Sequence, residues 1–144
     1  MGEAREQLQA AVDGVDVLEP TSLAAIEELM GLFGKMPNSG RMQAVALWKR
    51  GVVLSRSGAR DESLESFEQA LRQVGGPRVA MKQVVAFAEA CALYARAMEL
   101  RREGQGQQAA EDSRKALNRL ADSTSGAASL LRAELNSTLA KQSQ

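Results

Sequence analysis

Few residues in this 144-residue chain could do chemistry. Histidine is absent, which removes the commonest general base and the commonest transition-metal ligand. Cys91 is the single cysteine, so it can neither close an internal disulfide nor assemble a zinc site, and its setting among Ala90, Ala92 and Leu93 reads as a small buried hydrophobe. The adjacent carboxylates Glu27 and Glu28, Asp61 and Glu62, and Glu111 and Asp112 have the residue types for paired acid–base work. Each pair falls at or near a helix start, however, where acidic groups favour the positive end of the dipole, and they read as solvated surface. Gly75 and Gly76, and Gly104 with Gly106, follow helical patterns instead of a strand, so they read as helix terminators and not as phosphate-cradling loops. A non-catalytic protein without metal or cofactor is the expectation.

Length and composition fit one domain over residues 1–144 that buries a continuous core. Hydrophobic residues make up 44% but aromatics only 3%, so the core is expected from Leu, Ala, Val and Met, as suits closely packed helices. Lys plus Arg and Asp plus Glu both total 18. With zero net charge no long-range field draws the chain onto phosphate backbones or acidic lipid, so nucleic acid is not an expected partner. The longest apolar-rich stretch, Val84 to Leu100, is interrupted by Glu89, Arg96 and Glu99, which excludes membrane insertion there. Glu3, Arg5 and Glu6 interrupt the start of the chain where an export signal needs an apolar run. A cytoplasmic or otherwise intracellular location is expected.

Helical periodicity runs through nearly the whole sequence and no segment alternates as a strand does, so the fold class is all-α with about seven helices. They are placed near Glu3 to Leu18, Ser22 to Lys35 with Thr21 or Ser22 as N-cap, Gly40 to Arg56, Arg60 to Val74, Pro77 to Arg102, Gln107 to Leu120 and Ala127 to Lys141. Ser57 and Gly58 break the third helix from the fourth, and Gly75, Gly76 and Pro77 close that pair, with Pro77 at the first position of the fifth helix. The last helix sets Leu130, Leu131, Leu135 and Leu139 on one stripe and reads as a cap. Gln142, Ser143 and Gln144 are expected to fray.

An internal repeat runs through the middle of the chain at an offset of 46 residues. It superposes Ala44, Ala46, Leu47, Arg50, Leu54, Arg56, Gly58, Glu65, Ala70 and Leu71 on identical residues from Ala90 to Leu117, and sets Trp48 on Tyr94. Self-similarity over two helices and a glycine turn is the mark of stacked hairpins.

The first unit offers Leu47, Gly51, Leu54, Gly58, Ser63, Phe67, Ala70 and Pro77; the second offers Leu93, Ala97, Leu100, Gly104, Ala109, Ser113 and Ala116. These residues resemble the tetratricopeptide repeat (TPR) family. The family's usual spacing is about 34 residues rather than 46, and Ser113 stands where an aromatic is expected. The resemblance implies antiparallel helical hairpins stacked as a short TPR-like array. Its units would be residues 40–76 and 77–122, the second with a long first helix, followed by a C-terminal capping helix over 124–141. Residues 1–37 offer a degenerate first hairpin with Ala25, Leu29 and Leu32 as packing positions, although no glycine turn joins its helices.

In that family the first helix of each hairpin lines a concave groove for an extended peptide or a partner helix. The corresponding positions here are Trp48, Val52 and Arg56 with Tyr94, Met98, Arg101 and Arg102, bordered by Lys49. Spacing by three and four residues puts each set on one helix face, combining apolar anchors with cations suited to acidic residues. Val52 and Met98 stand where the family's carboxylate-clamp form has asparagine, so its chaperone-tail ligands are not expected. A second reading makes Trp48 and Tyr94 fillers between hairpins, and Arg56, Arg101 and Arg102 basic residues favoured at helix C-termini. The resemblance thus implies a protein-binding adaptor or scaffold, with a small secretion-type chaperone and a self-associating structural component as the alternatives.

Overall fold

A computed structural model describes residues 2–75 and 79–142. Among the described residues all regular structure is helical: α1 (Gly2–Asp13), α2 (Ser22–Phe33), α3 (Gly40–Arg56), α4 (Arg60–Gly75), α5 (Met81–Arg102), α6 (Gly106–Arg119) and α7 (Gly126–Gln142). None of these helices is long and apolar enough to cross a membrane.

The repeat shows most clearly at the two tight turns. Gly58 and Gly104 take φ of +90° and +79°, a left-handed conformation that side chains with a Cβ rarely adopt. Each lets the following N–H reach back to an orphan carbonyl: Ala59 donates to Leu54 O at 2.9 Å, and Gln105 to Leu100 O at 2.8 Å. This is the Schellman arrangement, occurring twice at the repeat offset. It folds α4 back on α3 and α6 back on α5, and these two hairpins form the centre of the molecule.

Equivalent positions also join one hairpin to the other. Trp48 and its equivalent Tyr94 meet edge to face, with ring centroids 5.2 Å apart, and Phe67 meets the non-equivalent Phe87 with the same geometry at 5.8 Å. All three phenylalanines, the tryptophan and the tyrosine are buried, so the aromatics, though scarce, are core residues. Within the first hairpin the Phe67 ring lies so near Gly51 that a Cβ there would sit 2.5 Å from it. At the equivalent pair the second hairpin has Ala97 and buried Ser113, a larger residue opposite a smaller one. The aromatic missing from position 113 is thus matched by the methyl at 97, a volume exchange that conserves packing.

Polar contacts follow the repeat as well. Arg50 reaches Ser66 in the first hairpin, and Arg96 Nε lies 3.2 Å from Asp112 in the second. Asp112 is therefore not the solvated carboxylate expected: it sits in the second turn of α6, buried and paired off-line with Arg96.

The flanking helices differ more from the sequence expectation. α1 ends at Asp13 instead of near Leu18, because Gly14 and a run containing Val15 and Val17 favour a loop. The Asp16 carboxylate accepts the Leu18 N–H, Ser22 Oγ donates to Asp16 O, and Val17 is buried, which fixes that loop. Ser22 therefore caps nothing, and Thr21 makes no side-chain cap bond either. The buried face of α2 is Ile26, Leu29 and Phe33, whereas the anticipated packing positions Ala25 and Leu32 are exposed. α2 packs chiefly on α3, with only a light contact to α1.

α5 begins at Met81, since Val79 and Ala80 are non-helical; Gly76, Pro77 and the terminal Ser143 and Gln144 lie outside the described residues. α7 packs on α3, α4, α5 and α6 through Ala127, Ala128, Leu131 and Leu135, with Leu130 and Leu139 only half-buried. Its start is held by Ser125 Oγ, which accepts the Ala128 N–H, and by Arg132, which donates to Leu120 O and Ser123 O at the end of α6.

Gly51→Ala is expected to destabilise the protein by about 1–3 kcal/mol in urea unfolding, because Phe67 is packed against Phe87 and has nowhere to move. A Gly51→Ala/Phe67→Leu double variant is expected to lose less than the sum of the two single changes.

Candidate functional site

The eight residues anticipated as a groove do come together, since Trp48, Lys49, Val52 and Arg56 lie on α3 beside Tyr94, Met98, Arg101 and Arg102 on α5. They do not form an open groove. Trp48, Lys49, Val52 and Tyr94 are only 1%, 5%, 2% and 3% exposed, respectively. The reason is that α1 packs on α3, and α7 on both α3 and α5. Lys49 Nζ donates to the Val12 and Asp13 carbonyls at the end of α1, at 2.7 and 3.1 Å. Tyr94 OH donates to Glu134 of α7 at 3.3 Å.

The cations assigned to partner recognition are also largely engaged within the chain. Arg102 pairs with Asp16 at 2.7 Å, which ties the end of α5 to the loop after α1. Arg56 lies 3.6 Å from Glu99 and links the C-terminal ends of α3 and α5. Arg101 is exposed and has no ion pair among the described residues, while Met98 is half-buried. Of the anticipated set, Met98 and Arg101 are the residues still available to a ligand.

Both remain on the surface beside features that sequence reasoning missed. An open depression of about 430 Å³ runs between α1 and α2, lined by Ala11, Val15, Ala25, Leu29 and Leu32, with Asp16 and Glu28 among its polar residues. Leu32 is 41% exposed there. A second depression of about 420 Å³ holds Met98, Arg101, Arg102 and Asp13. Gly14, Val15 and Asp16 line both, so the two flank the end of α1. No local pattern marks this place: Asp16 and Arg102 are far apart in sequence, and Leu32 keeps the period of a packed helix face. A separate depression of about 370 Å³ sets Glu27, Glu62 and Glu65 around Arg50 over Met30 and Leu47. Arg50 already bonds Ser66 and pairs with Glu27 at 3.5 Å.

Burial governs the titratable groups inside. It pushes the Cys91 thiol well up and keeps it protonated, the opposite of what a reactive cysteine needs. It also raises Tyr94, helped by the charge of Glu134 beside the hydroxyl. Lys49 is lowered by desolvation, against the opposing pull of Glu134 and Asp13. Trp48 Nε1 is buried without an acceptor.

No protein-family model matches this chain, and no curated protein or solved structure is significantly similar to it.

The shifts fix the sign of an alkaline response. Unfolded Tyr94 would ionise near its ordinary 10.0 while the folded residue stays neutral, so it contributes stability below pH 10 that is lost as pH rises. Cys91 acts in the same sense from its ordinary 9.0 upward. Lys49 acts oppositely, because its folded form releases its proton before the unfolded form does at 10.5. Urea titrations above pH 10 are expected to show Tyr94→Phe gaining on the wild type by up to about 1.4 kcal/mol per pH unit. Lys49→Met is expected to fall further behind the wild type as pH rises toward 10.5, because its opposing contribution is gone.

Proposed function

We propose that the chain is a non-catalytic protein-interaction module, an adaptor or scaffold that holds a helix or extended peptide of another protein. Its two hairpins, with equivalent turns, aromatic positions and Arg50 and Arg96 contacts, favour a short tetratricopeptide-like array as the framework. The observation that carries the reading is the apolar depression between α1 and α2, where Leu29 and Leu32 line a surface open to solvent beside a second depression bearing Met98 and Arg101.

A helix laid along this surface would place aliphatic side chains against Leu32 and Val15 and an acidic residue toward Arg101. In this reading the partner lies along the α1–α2 surface. The absence of histidine and the protonated, enclosed Cys91 remove two of the side chains most used as base and nucleophile, which supports binding as the activity.

Affinity capture from source-cell lysate with wild type and a Leu32→Glu/Arg101→Glu variant tests the assignment. Both substitutions are at exposed positions, so thermal stability is expected to stay within about 0.5 kcal/mol and circular dichroism to be unchanged. The partner retained by wild type is expected to be lost by the variant. Equal retention by both would remove this surface as the interface.

A further inference from the structure

α1 is lightly attached. Of its 12 residues only Val12 is fully buried, with Leu8 and Gln9 half-buried, whereas α3 buries Met42, Leu47, Trp48 and Val52 among others. What else holds α1 is polar and engages its ends. Arg5 donates to Asn38 O at 3.1 Å near the start, and Lys49 donates to the Val12 and Asp13 carbonyls at the finish. Open depressions flank that last turn on two sides, so it is not close-packed as a core helix end would be.

The loop that follows is fastened separately. Val17 is buried, and Asp16 is held by Arg102, the Leu18 N–H and Ser22. α1 can therefore leave its seat about Gly14 while the loop and the Trp48–Tyr94 core stay in place.

Beneath the end of α1 lies a buried donor, the Lys49 ammonium, next in sequence to the buried Trp48. The ammonium is answered by the terminal carbonyls of α1, while the Trp48 indole N–H has no acceptor among the described residues. The end of a helix supplies what such a seat needs, because its last carbonyls lack intrahelical donors and carry the negative end of the helix dipole. Arg101, without an ion pair among the described residues, stands in the depression that also holds Asp13, open to an acidic side chain of the same turn.

We infer that α1 is the resident occupant of a helix-end receptor formed on α3 by Lys49, with Arg101 at the rim, and that the last turn of a partner protein's helix, with an aliphatic residue in the place of Val12, exchanges with it. The inference rests on the protein-binding reading above and goes beyond it, since a partner in the seat of α1 meets Lys49 and not the α1–α2 depression that α1 itself lines. Buried Lys49 makes exchange, and not simple departure, the favoured event, since an ammonium left without acceptors in an apolar setting is strongly unfavourable.

The test uses the full chain and a synthetic peptide of residues 2–15, amidated so that it offers helix-end carbonyls and no terminal carboxylate. Trp48, the single tryptophan, reports occupancy by its emission, and a label on the peptide reports affinity. Full-length Val12→Ala, with its own α1 loosened, is expected to bind the peptide about tenfold more tightly than wild type. Adding Lys49→Met to that variant is expected to abolish the gain. In wild type, α1 amides are expected to exchange hydrogen about 100-fold faster than those of α3.

Equal peptide affinity of wild type and Val12→Ala would overturn the inference, as would α1 amides protected as strongly as α3. The exchange measurement needs no variant, so a poorly folded Val12→Ala protein leaves the test intact. Failure of peptide exchange together with loss of lysate capture by Leu32→Glu/Arg101→Glu would remove the receptor alone and leave the α1–α2 surface standing. Peptide exchange with unaltered capture would do the reverse.

Discussion

The edge-to-face contact of Trp48 with Tyr94 is the joint on which the rest of the molecule depends, because it brings equivalent positions of the two hairpins together and fixes how α3 meets α5. Such a pair contributes about 0.5–1.5 kcal/mol beyond its buried area, but its larger effect here is geometric. Once the two rings touch, the faces of α3 and α5 form a single apolar floor too large to leave in water. α7 packs on both helices and buries Leu131 and Leu135, and α1 packs on α3 and buries Val12. The face that a repeat array would present to a ligand has become interior.

Covering that floor has an electrostatic consequence. Lys49 is carried inside with its neighbour Trp48 and must find acceptors, which the end of α1 provides. Arg102, Arg56 and Arg132 likewise join one segment of the chain to another, through Asp16, Glu99 and the carbonyls that end α6. The exposed pairs among these are each worth about 0–1 kcal/mol, so their importance lies in orientation. Lys49 differs because burial makes its partners obligatory. A neutral chain with cations at three- and four-residue spacing thus uses them mainly to hold its own helices.

The central hairpins were legible because their information is local. Gly58 and Gly104 stop helices by backbone chemistry, and the bounds of α3 follow from apolar periodicity between Gly40 and that turn. The repeat also identified the Trp48 and Tyr94 equivalence, and one of its two sequence readings, as fillers between hairpins, matches their burial. The ends of the chain were less legible. α1 carries so few apolar residues that periodicity alone could not mark its finish, and the loop holding Asp16 depends on Arg102 from α5. On α2 the stripe was displaced, since Ala25, Leu29 and Leu32 share a helical spacing as plausible as that of Ile26, Leu29 and Phe33.

What the sequence by itself determined is the all-helical class, the seven elements, the doubled hairpin with its glycine turns, and the absence of histidine. Each of these is written in composition or in spacings shorter than one hairpin. Tertiary structure alone decided which of those surfaces remained surfaces. Whether Trp48 faced solvent or lay beneath another helix depended on where α1 and α7 came to rest, and that was set by apolar area and buried donors contributed from distant parts of the chain. A helix face can be read from its own residues; its cover cannot, because the cover is chosen by the energy of burying both together.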